Sequence, residues 1–136
     1  MRSWGAQSGA SRLTGPRRQG ITRVMQIFKI LRADEWAALR SQKQIQGAPI
    51  DVSDGFVHFS TPEQVAETAA RHFSDANDLM LLSFDSNALG SNLKWEPSRG
   101  GALFPHLYGP LNLSDVQWAQ PLPLNSGVHE FPPGLL

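Results

Sequence analysis

The segment from Asp54 to Gln64 constrains the fold most strongly, because it joins a strand pattern directly to the start of a helix. Alternation along a strand would place Phe56, His58 and Ser60 on one face and Val57 and Phe59 on the other, which leaves His58 as the one ionisable group between apolar sequence neighbours. Thr61 then predicts a helix cap, with Pro62 at the first helical position and Gln64 completing a capping box. The chain must therefore pass from a strand into a helix within a few residues, and this junction predicts a pocket beside His58.

The elements predicted before this junction are short. Residues 26–31 are apolar, β-branched or aromatic and predict a first strand. Two acidic residues at 34–35 favour the start of a helix that ends near Lys43. Residues 46–49 then predict a turn, and residues 51–54 predict a polar loop that leads into the histidine strand.

After the junction, the pattern predicts one helix and several strands. Apolar residues spaced by four predict a helix over 61–73. The nearly continuous apolar run 79–85 is too short for a typical helix and predicts a central strand covered on both faces. Shorter strands are predicted over 93–96 and 116–122, with a glycine-rich loop at 97–101. Interspersed short strands and two helices predict an α+β domain.

The length of 136 residues and the absence of cysteine limit the possible architectures. We expect one domain over residues 25–123, large enough to bury a core without disulfides. Residues 1–24 are basic and rich in Gly and Ser, and we expect a disordered extension there, with Met25 as the true start. Residues 124–136 contain two adjacent prolines and predict an irregular tail. Without cysteine, thiolate catalysis and cysteine-ligated zinc are excluded.

The formal net charge of +0 hides an uneven distribution of charge. Five of the 12 basic residues and none of the 12 acidic residues precede Met25, so the remainder carries a net charge of −5. An acidic domain opposes nucleic-acid binding, which depends on neutralising phosphates. No apolar run reaches the roughly 20 residues that cross a bilayer. We therefore expect a cytoplasmic protein with a small-molecule ligand and with neither nucleic acid nor membrane as a partner, while its oligomeric state is not predicted.

Eight polar side chains are candidates for a site around the junction. His58 and Glu96 are the catalytic candidates, because histidine exchanges protons near neutral pH and the adjacent Trp95 indole would raise the pKa of the Glu96 carboxyl group. The ligand-binding candidates are Asp54, Ser60, Thr61, Arg99, His106 and Tyr108. An arginine in a glycine-rich loop suits a phosphate or carboxylate, and a tyrosine suits a planar ligand. His106 and Tyr108 share one face if residues 104–111 are extended.

Each candidate also has an ordinary structural interpretation. His58 is as readily a buried histidine bonded to backbone. Glu96 is a common type of solvent-facing strand residue, and Arg99 is a common type of solvated loop residue. A tyrosine such as Tyr108, with its hydroxyl at the edge of the core, is equally ordinary. A metal site built from His58, Glu96 and His106 has suitable ligand types, but the spacings match no compact zinc signature.

The order of several short motifs resembles a known protein family. The motifs are Ile27-Phe28-Lys29-Ile30, Trp36, Asp51, Asp54 to Thr61, Gln64, Leu93-Lys94-Trp95-Glu96 and Phe104 to Gly109. Over residues 26–122 they are similar to those of the small bacterial proteins of the uncharacterised-domain family DUF952. The resemblance implies a compact variant of the ADP-ribosyltransferase fold, with a split pair of small sheets and two main helices around a nicotinamide-dinucleotide cleft.

The resemblance also implies a ligand and a chemistry. The stretch His58-Phe59-Ser60 is similar to the His-Gly-Ser/Thr element that holds the nicotinamide ribose in these transferases, and Tyr108 resembles their stacking aromatic residue. The implied ligand is a nucleotide or phosphorylated small molecule, such as NAD or an ADP-ribose-like compound. The implied reactions are ADP-ribosyl or glycosyl transfer or hydrolysis, with His58 orienting ribose hydroxyls and Glu96 stabilising positive charge.

Two differences from the transferases favour other functions. Phe59 stands where the transferases have glycine, and after Tyr108 only Asp115 and Glu130 are available in place of their late-strand glutamate. These differences favour a non-enzymatic binding or interaction module on a degenerate fold. A third interpretation is a metal-assisted hydrolase that uses the metal-ligand set named above.

Overall fold

A computed structural model describes residues 25–133 and residue 135. Its α-helices are α1 (Ala33–Gln42), α2 (Pro49–Asp54) and α3 (Val65–His72). Its strands are β1 (Gln26–Leu31), β2 (Gln44–Ile45), β3 (Val57–His58), β4 (Leu79–Asp85), β5 (Leu93–Pro97), β6 (Leu103–Leu107), β7 (Leu111–Asn112), β8 (Val116–Leu122), β9 (Leu124–Asn125) and β10 (Val128–His129). Short 3-10 segments cover Ser86–Asn92, Arg99–Gly101 and Leu113–Asp115. The predicted α+β class is confirmed, while the extension expected over 1–24 lies outside the described residues.

Three long antiparallel strands form the larger sheet, in the order β1-β4-β8. The central strand β4 pairs with both neighbours, and Leu81, for example, lies opposite Ile30 of β1. Most of the apolar side chains of β4 are buried. Because a strand buried on both faces has a continuous apolar pattern, residues 79–85 correctly predicted the centre of a sheet. The strands predicted over 26–31 and 116–122 are confirmed as well.

A second antiparallel sheet, in the order β3-β6-β5, carries the histidines of interest. His58 of β3 lies directly opposite His106 of β6, so both imidazoles are on one face. Just beyond β3, Ser60 forms an isolated bridge with Phe28 of β1 through two backbone hydrogen bonds of 2.7 and 2.9 Å. This bridge joins the edges of the two sheets and holds His58 next to β1.

The larger sheet packs on both of its faces. On one face, Ile27, Leu31 and Phe84 join Val57 and Phe59 of the second sheet in one apolar cluster. The opposite face packs against helix α3 in a second apolar cluster, which contains Phe28, Ile30, Leu79, Leu81, Leu122, Val65 and Ala69. Full burial of an aliphatic or aromatic side chain stabilises the fold by roughly 1.5–3 kcal/mol. Strand β1 is therefore packed against core on both of its faces, and the sheet that carries the histidines packs against one of them.

Residues 51–54, predicted as a polar loop, belong instead to helix α2. Pro49 lies in its first turn, and the Ala48 N–H donates to Asp51 Oδ2 at 2.7 Å. The helix ends at Gly55, which has a left-handed φ of 88°. A helix this short has little stability of its own. Its formation depends on the tertiary contacts of Asp51, which local sequence patterns do not reveal.

The helix predicted over 61–73 is confirmed, although it begins later, at Val65. The Thr61 N–H donates to Gln64 Oε1 at 3.0 Å, so one half of the predicted capping box is present. The buried side chains of Val65 and Ala69 form its apolar face. None of the helices within the described residues is long and apolar enough to cross a bilayer.

The segment 124–136, expected to be an irregular tail, contains a β-hairpin. Strands β9 and β10 pair antiparallel, and the connecting Ser126 and Gly127 have positive φ angles of 53° and 81°. A two-residue turn of this kind matches the twist of paired strands. The buried His129 donates from Nε2 to the Ala76 carbonyl at 2.8 Å and ties the hairpin to the chain after α3. The hairpin was not predicted because its turn signal, Ser126-Gly127, is short and lies between proline-rich stretches.

Candidate functional site

A buried carboxylate, Asp51, organises one side of the site. Its side chain is 0 % exposed, and its Oδ2 lies 2.7 Å from Lys29 Nζ. Its other oxygen, Oδ1, accepts hydrogen bonds from the His58 backbone N–H at 3.0 Å and from His58 Nδ1 at 2.6 Å. Together with the Ala48 N–H on Oδ2, these donors compensate for the loss of water around the charge.

A glycine allows the backbone to approach this carboxylate. Gly47 has a φ of +113°, and a Cβ at this position would lie 2.6 Å from the Cβ of Asp51. Both the backbone conformation and the lack of space exclude other residues. The turn before α2 therefore depends on Gly47 to let Asp51 reach Lys29 and His58.

The groups around Asp51 keep it charged. Burial by itself raises the pKa of this carboxyl group, but the hydrogen bond from His58 and the positive charge of Lys29 outweigh burial and lower the pKa to about 2. Lys29 is buried as well. An ion pair between buried groups thus contacts the His58 imidazole at Nδ1.

His58 lies between two carboxylates. Its Nδ1 contacts Asp51 Oδ1 at 2.6 Å, and its Nε2 lies 3.0 Å from Asp54 Oδ2. A carboxylate oxygen only accepts hydrogen bonds, so both contacts form together when both ring nitrogens carry hydrogen. The arrangement therefore suits a positively charged imidazolium whose Nε2 side, next to the exposed Asp54, is near solvent.

His106 has a different carboxylate partner, Glu96. His106 Nδ1 lies 2.7 Å from Glu96 Oε1, and the Tyr108 hydroxyl donates to the same oxygen at 2.7 Å. The hydrogen bonds from His106 and Tyr108 lower the pKa of Glu96, and the bond to Glu96 raises the pKa of Tyr108. The expectation that Trp95 raises the pKa of Glu96 is wrong, because neighbouring strand residues point to opposite faces. Trp95 lies opposite Pro105 rather than beside His106.

The ring of Phe56 holds these side chains together. Its centroid lies 4.6 Å from that of His58, 4.2 Å from that of His106 and 5.2 Å from that of Tyr108. The two imidazole centroids are 5.5 Å apart in an edge-to-face arrangement. Such ring contacts restrict both histidines to one orientation each.

The imidazoles lie on the wall of a cleft of about 700 Å³. Strand β1 and the start of α1 form another wall, where the Arg32 guanidinium lies over the Phe73 ring at 4.9 Å from its centroid. Ser60 is buried at the cleft, and its Oγ lies 2.9 Å from Thr68 Oγ1. The cleft therefore combines cationic, hydroxyl and aromatic groups in one space.

The structure brings most of the sequence candidates into one region. Four of them line the cleft, namely Asp54, His58, Ser60 and His106. Glu96 and Tyr108 hydrogen-bond behind His106, and Thr61 contacts Gln64 through its backbone without lining the cleft. The Arg99 side chain lies outside the described part of the structure. Catalytic and ligand-binding roles for these residues stay predictions.

Four residues of the site were not among the candidates, namely Lys29, Arg32, Asp51 and Phe56. Lys29 had a sequence signal, because it is the one charged residue within the apolar run 26–31. Asp51 had another, since it follows Pro49 at the spacing of a short capped helix. Phe56 precedes His58 by two residues, so strand alternation had placed both on one face. Arg32 had no comparable signal, because its role comes from tertiary contacts alone.

The proposed set of metal ligands is not assembled as a metal site. Among the described residues, no group of three or more His, Asp or Glu side chains is arranged to hold a metal ion. Nδ1 of each histidine is hydrogen-bonded to a carboxylate instead, Asp51 for His58 and Glu96 for His106. The metal-assisted hydrolase interpretation therefore has no support in the described residues.

Comparison with known proteins finds one protein of known structure and one family model that are similar to this chain. Protein CC0527 from Caulobacter crescentus has an X-ray structure that is 46 % identical in sequence, covers 77 % of this chain and 93 % of that chain, and superposes with a TM-score of 0.75. Its solution NMR structure is 47 % identical, covers 76 % and 90 % of the two chains, and has a TM-score of 0.69. No curated protein matches the chain. Residues 30–119 match the family model described as "Protein of unknown function (DUF952)", and the chain therefore belongs to the DUF952 family.

Proposed function

We propose that the cleft binds a nucleotide, with ribose near the two histidines and Asp54 and with phosphate at Arg32. The observation that carries this proposal is one cleft of about 700 Å³ that contains two carboxylate-bonded imidazoles, a guanidinium and aromatic rings. Its volume lies within the roughly 300–1,000 Å³ of small-molecule sites. Two small sheets beside a cleft are also the arrangement that the resemblance to ADP-ribosyltransferases implies.

Arg32 is suited to the phosphate end of such a ligand. It lines both the main cleft and a neighbouring cavity of about 200 Å³. Its guanidinium carbon lies over the Phe73 ring, 4.9 Å from the centroid. The guanidinium donors form a fork that can bind two phosphate oxygens at once.

Ser60 and Asp54 are suited to ribose hydroxyls. Thr68 donates its hydroxyl hydrogen to the Gln64 carbonyl at 3.1 Å, and its Oγ1 lies 2.9 Å from Ser60 Oγ. Because Thr68 has one hydroxyl hydrogen, Ser60 is the donor between the two hydroxyls and keeps its lone pairs for groups in the cleft. The partly exposed Asp54 carboxylate also only accepts. Both residues thus favour a ligand rich in donors, such as a sugar.

Titration calorimetry with NAD, ADP-ribose and nicotinamide tests this proposal in the wild-type protein and in Arg32→Met. We expect NAD and ADP-ribose to bind and Arg32→Met to weaken ADP-ribose binding by roughly 10- to 100-fold, because a hydrogen bond to a charged group contributes about 1.5–3 kcal/mol. Nicotinamide has no phosphate, so its affinity should not change.

Arg40→Met is the matched control for that experiment. The Arg40 guanidinium also lies over an aromatic ring, that of Trp36, at 5.3 Å from its centroid, but neither residue lines the cleft. Its removal therefore tests the loss of a stacked arginine without loss of a cleft donor. No heat with any of the three ligands, or an equal loss of affinity in both variants, would contradict the proposal.

A second candidate function is a binding module without catalysis, and one observation favours it. Glu96 directs Oε1 at His106 and Tyr108 and does not line the cleft, unlike a glutamate that contacts substrate. Phe59 lines the cleft where the transferases have glycine, although its ring packs against Phe84 at a centroid distance of 5.0 Å. Chromatography of NAD after incubation with the protein separates the two functions, since a module would bind without releasing nicotinamide.

A further inference from the structure

The two histidines differ in which ring nitrogens are in use. Both nitrogens of His58 contact carboxylates, so this ring has no lone pair to offer. Within the described residues, the ring of His106 makes one hydrogen bond, from Nδ1 to Glu96. Because a carboxylate only accepts, Nδ1 carries the hydrogen, and Nε2 of the neutral ring retains a lone pair. Of the two imidazoles that line the cleft, His106 is thus the one with a ring nitrogen not engaged by a carboxylate.

The surroundings of His106 fix which nitrogen of the ring faces Glu96. The residue is 5 % exposed and lines the cleft, with the Phe56 ring 4.2 Å from its own. Glu96 receives a second hydrogen bond from Tyr108 on the same oxygen that His106 contacts. Two donors on one oxygen restrict the rotation of the carboxylate, and a fixed carboxylate fixes the imidazole tautomer. The ring therefore needs no rearrangement before it accepts a proton.

We propose that His106 is the general base of the cleft and that Glu96 is the positioning residue that sets its tautomer. This inference rests on the proposed nucleotide binding. With NAD as the substrate, the oxygen of a water molecule bonds to C1′ of the nicotinamide ribose while one water proton passes to Nε2 of His106. The C1′–N bond breaks, its electron pair neutralises the pyridinium, and nicotinamide leaves as a neutral molecule. His106 then returns the proton to solvent.

The rate of nicotinamide release from saturating NAD tests the role of His106. In His106→Gln we expect this rate to fall by roughly 10²- to 10⁴-fold, which is the usual contribution of a general base. Affinity for ADP-ribose, measured by calorimetry, should fall by no more than about tenfold, because the ribose contact of His106 is one hydrogen bond, whereas its role as a base is made in the transition state. The exposed Glu63→Gln is the matched control for a lost carboxylate and should release nicotinamide at the wild-type rate.

Glu96→Gln tests the positioning role without removing the base. The glutamine amide can donate to Nδ1, which moves the ring hydrogen to Nε2 and removes the lone pair from the cleft. A wrong tautomer of this kind lowers rates by roughly 10²-fold or more. Nitrogen-15 NMR of the imidazoles gives an independent readout, and we expect hydrogen on Nδ1 of His106 in the wild type and on Nε2 in Glu96→Gln.

The two proposals fail in different ways. Absence of ADP-ribose binding to the wild-type protein would refute the nucleotide proposal, and this inference with it. If ADP-ribose binds but the wild type releases no nicotinamide, or His106→Gln releases it at the wild-type rate, the general base alone is refuted. Hydrogen on Nε2 of His106 in the wild-type NMR spectrum would also overturn it, whichever ligand binds.

Discussion

The Asp51–His58 and Glu96–His106 pairs have the same contact geometry in opposite environments. In each pair a carboxylate oxygen lies 2.6–2.7 Å from Nδ1 of the imidazole. The Asp51 side chain is 0 % exposed and paired with Lys29, whereas the Glu96 side chain is 39 % exposed. Contact distance alone therefore does not distinguish a pair that stabilises the fold from one that orients a ring in the cleft.

The difference in burial separates the two roles. Asp51 has no access to water, so its energy depends on Lys29 and His58, and the loss of either leaves a buried charge. Glu96 exchanges its protein donors for water at little cost, since exposed pairs contribute little to stability. We therefore infer that the Asp51 pair supports the fold beneath the site and that the Glu96 pair can change without unfolding the protein.

The largest test of this comparison is Asp51→Asn. The substitution leaves Lys29 buried without its counter-ion and weakens the hold on His58, so we expect a loss of about 3–5 kcal/mol in the free energy of unfolding. Urea denaturation followed by circular dichroism measures it. Asp54→Asn removes the other carboxylate on the same imidazole, but from an exposed position, and should cost less than about 1 kcal/mol. Equal losses in the two variants would show that burial does not separate the roles.

The second test uses pH. The pKa of Asp51 is about 2 in the folded protein, whereas an ordinary aspartate, as in the unfolded chain, has a pKa of 3.8. The unfolded chain therefore binds a proton more readily than the folded one. The stability from this difference, roughly 2 kcal/mol, is fully present above pH 3.8 and is lost as the pH falls towards 2. Urea midpoints measured across this range should therefore fall more steeply in the wild type than in Asp51→Asn. If the urea midpoints of the wild type and Asp51→Asn fell equally with pH, the stabilising role of the charged Asp51 would be contradicted.

The elements of the fold that the sequence predicted are those with a local apolar pattern, whereas helix α2, which it missed, depends on a contact between distant residues. Strands β1 and β4 were predicted because each is a nearly continuous apolar run, and both runs are mostly buried. Helix α2 was not, because its six residues are held by Asp51 bonding to Lys29, which is far away in sequence. Local patterns do not contain such a contact, and only the packed core brings its partners together.

The candidate site was predictable to the extent that strand alternation determines it. Alternation placed His58 and His106 on strand faces, and both line the cleft. Alternation does not contain register, which puts these two residues opposite each other and places Glu96 behind His106. The physical reason given for Glu96 was wrong, since its pKa is lowered by hydrogen bonds rather than raised by Trp95, and its role in a site stays a prediction.

The smallest expected effect is a change in the pKa of Tyr108, and it reports specifically on the hydrogen bond to Glu96. Tyr108 is the single tyrosine of the chain, so the alkaline rise in phenolate absorbance reports on this residue alone. Its hydrogen bond to Glu96 raises its pKa above the ordinary value of 10.0, because ionisation would place a second negative charge beside the carboxylate. In Glu96→Gln the pKa of Tyr108 should fall back towards that value, while the urea midpoint at neutral pH should not change. A pKa for Tyr108 that is the same in both proteins would remove the evidence that the exposed carboxylate is charged and hydrogen-bonded to Tyr108, and with it the contrast with Asp51.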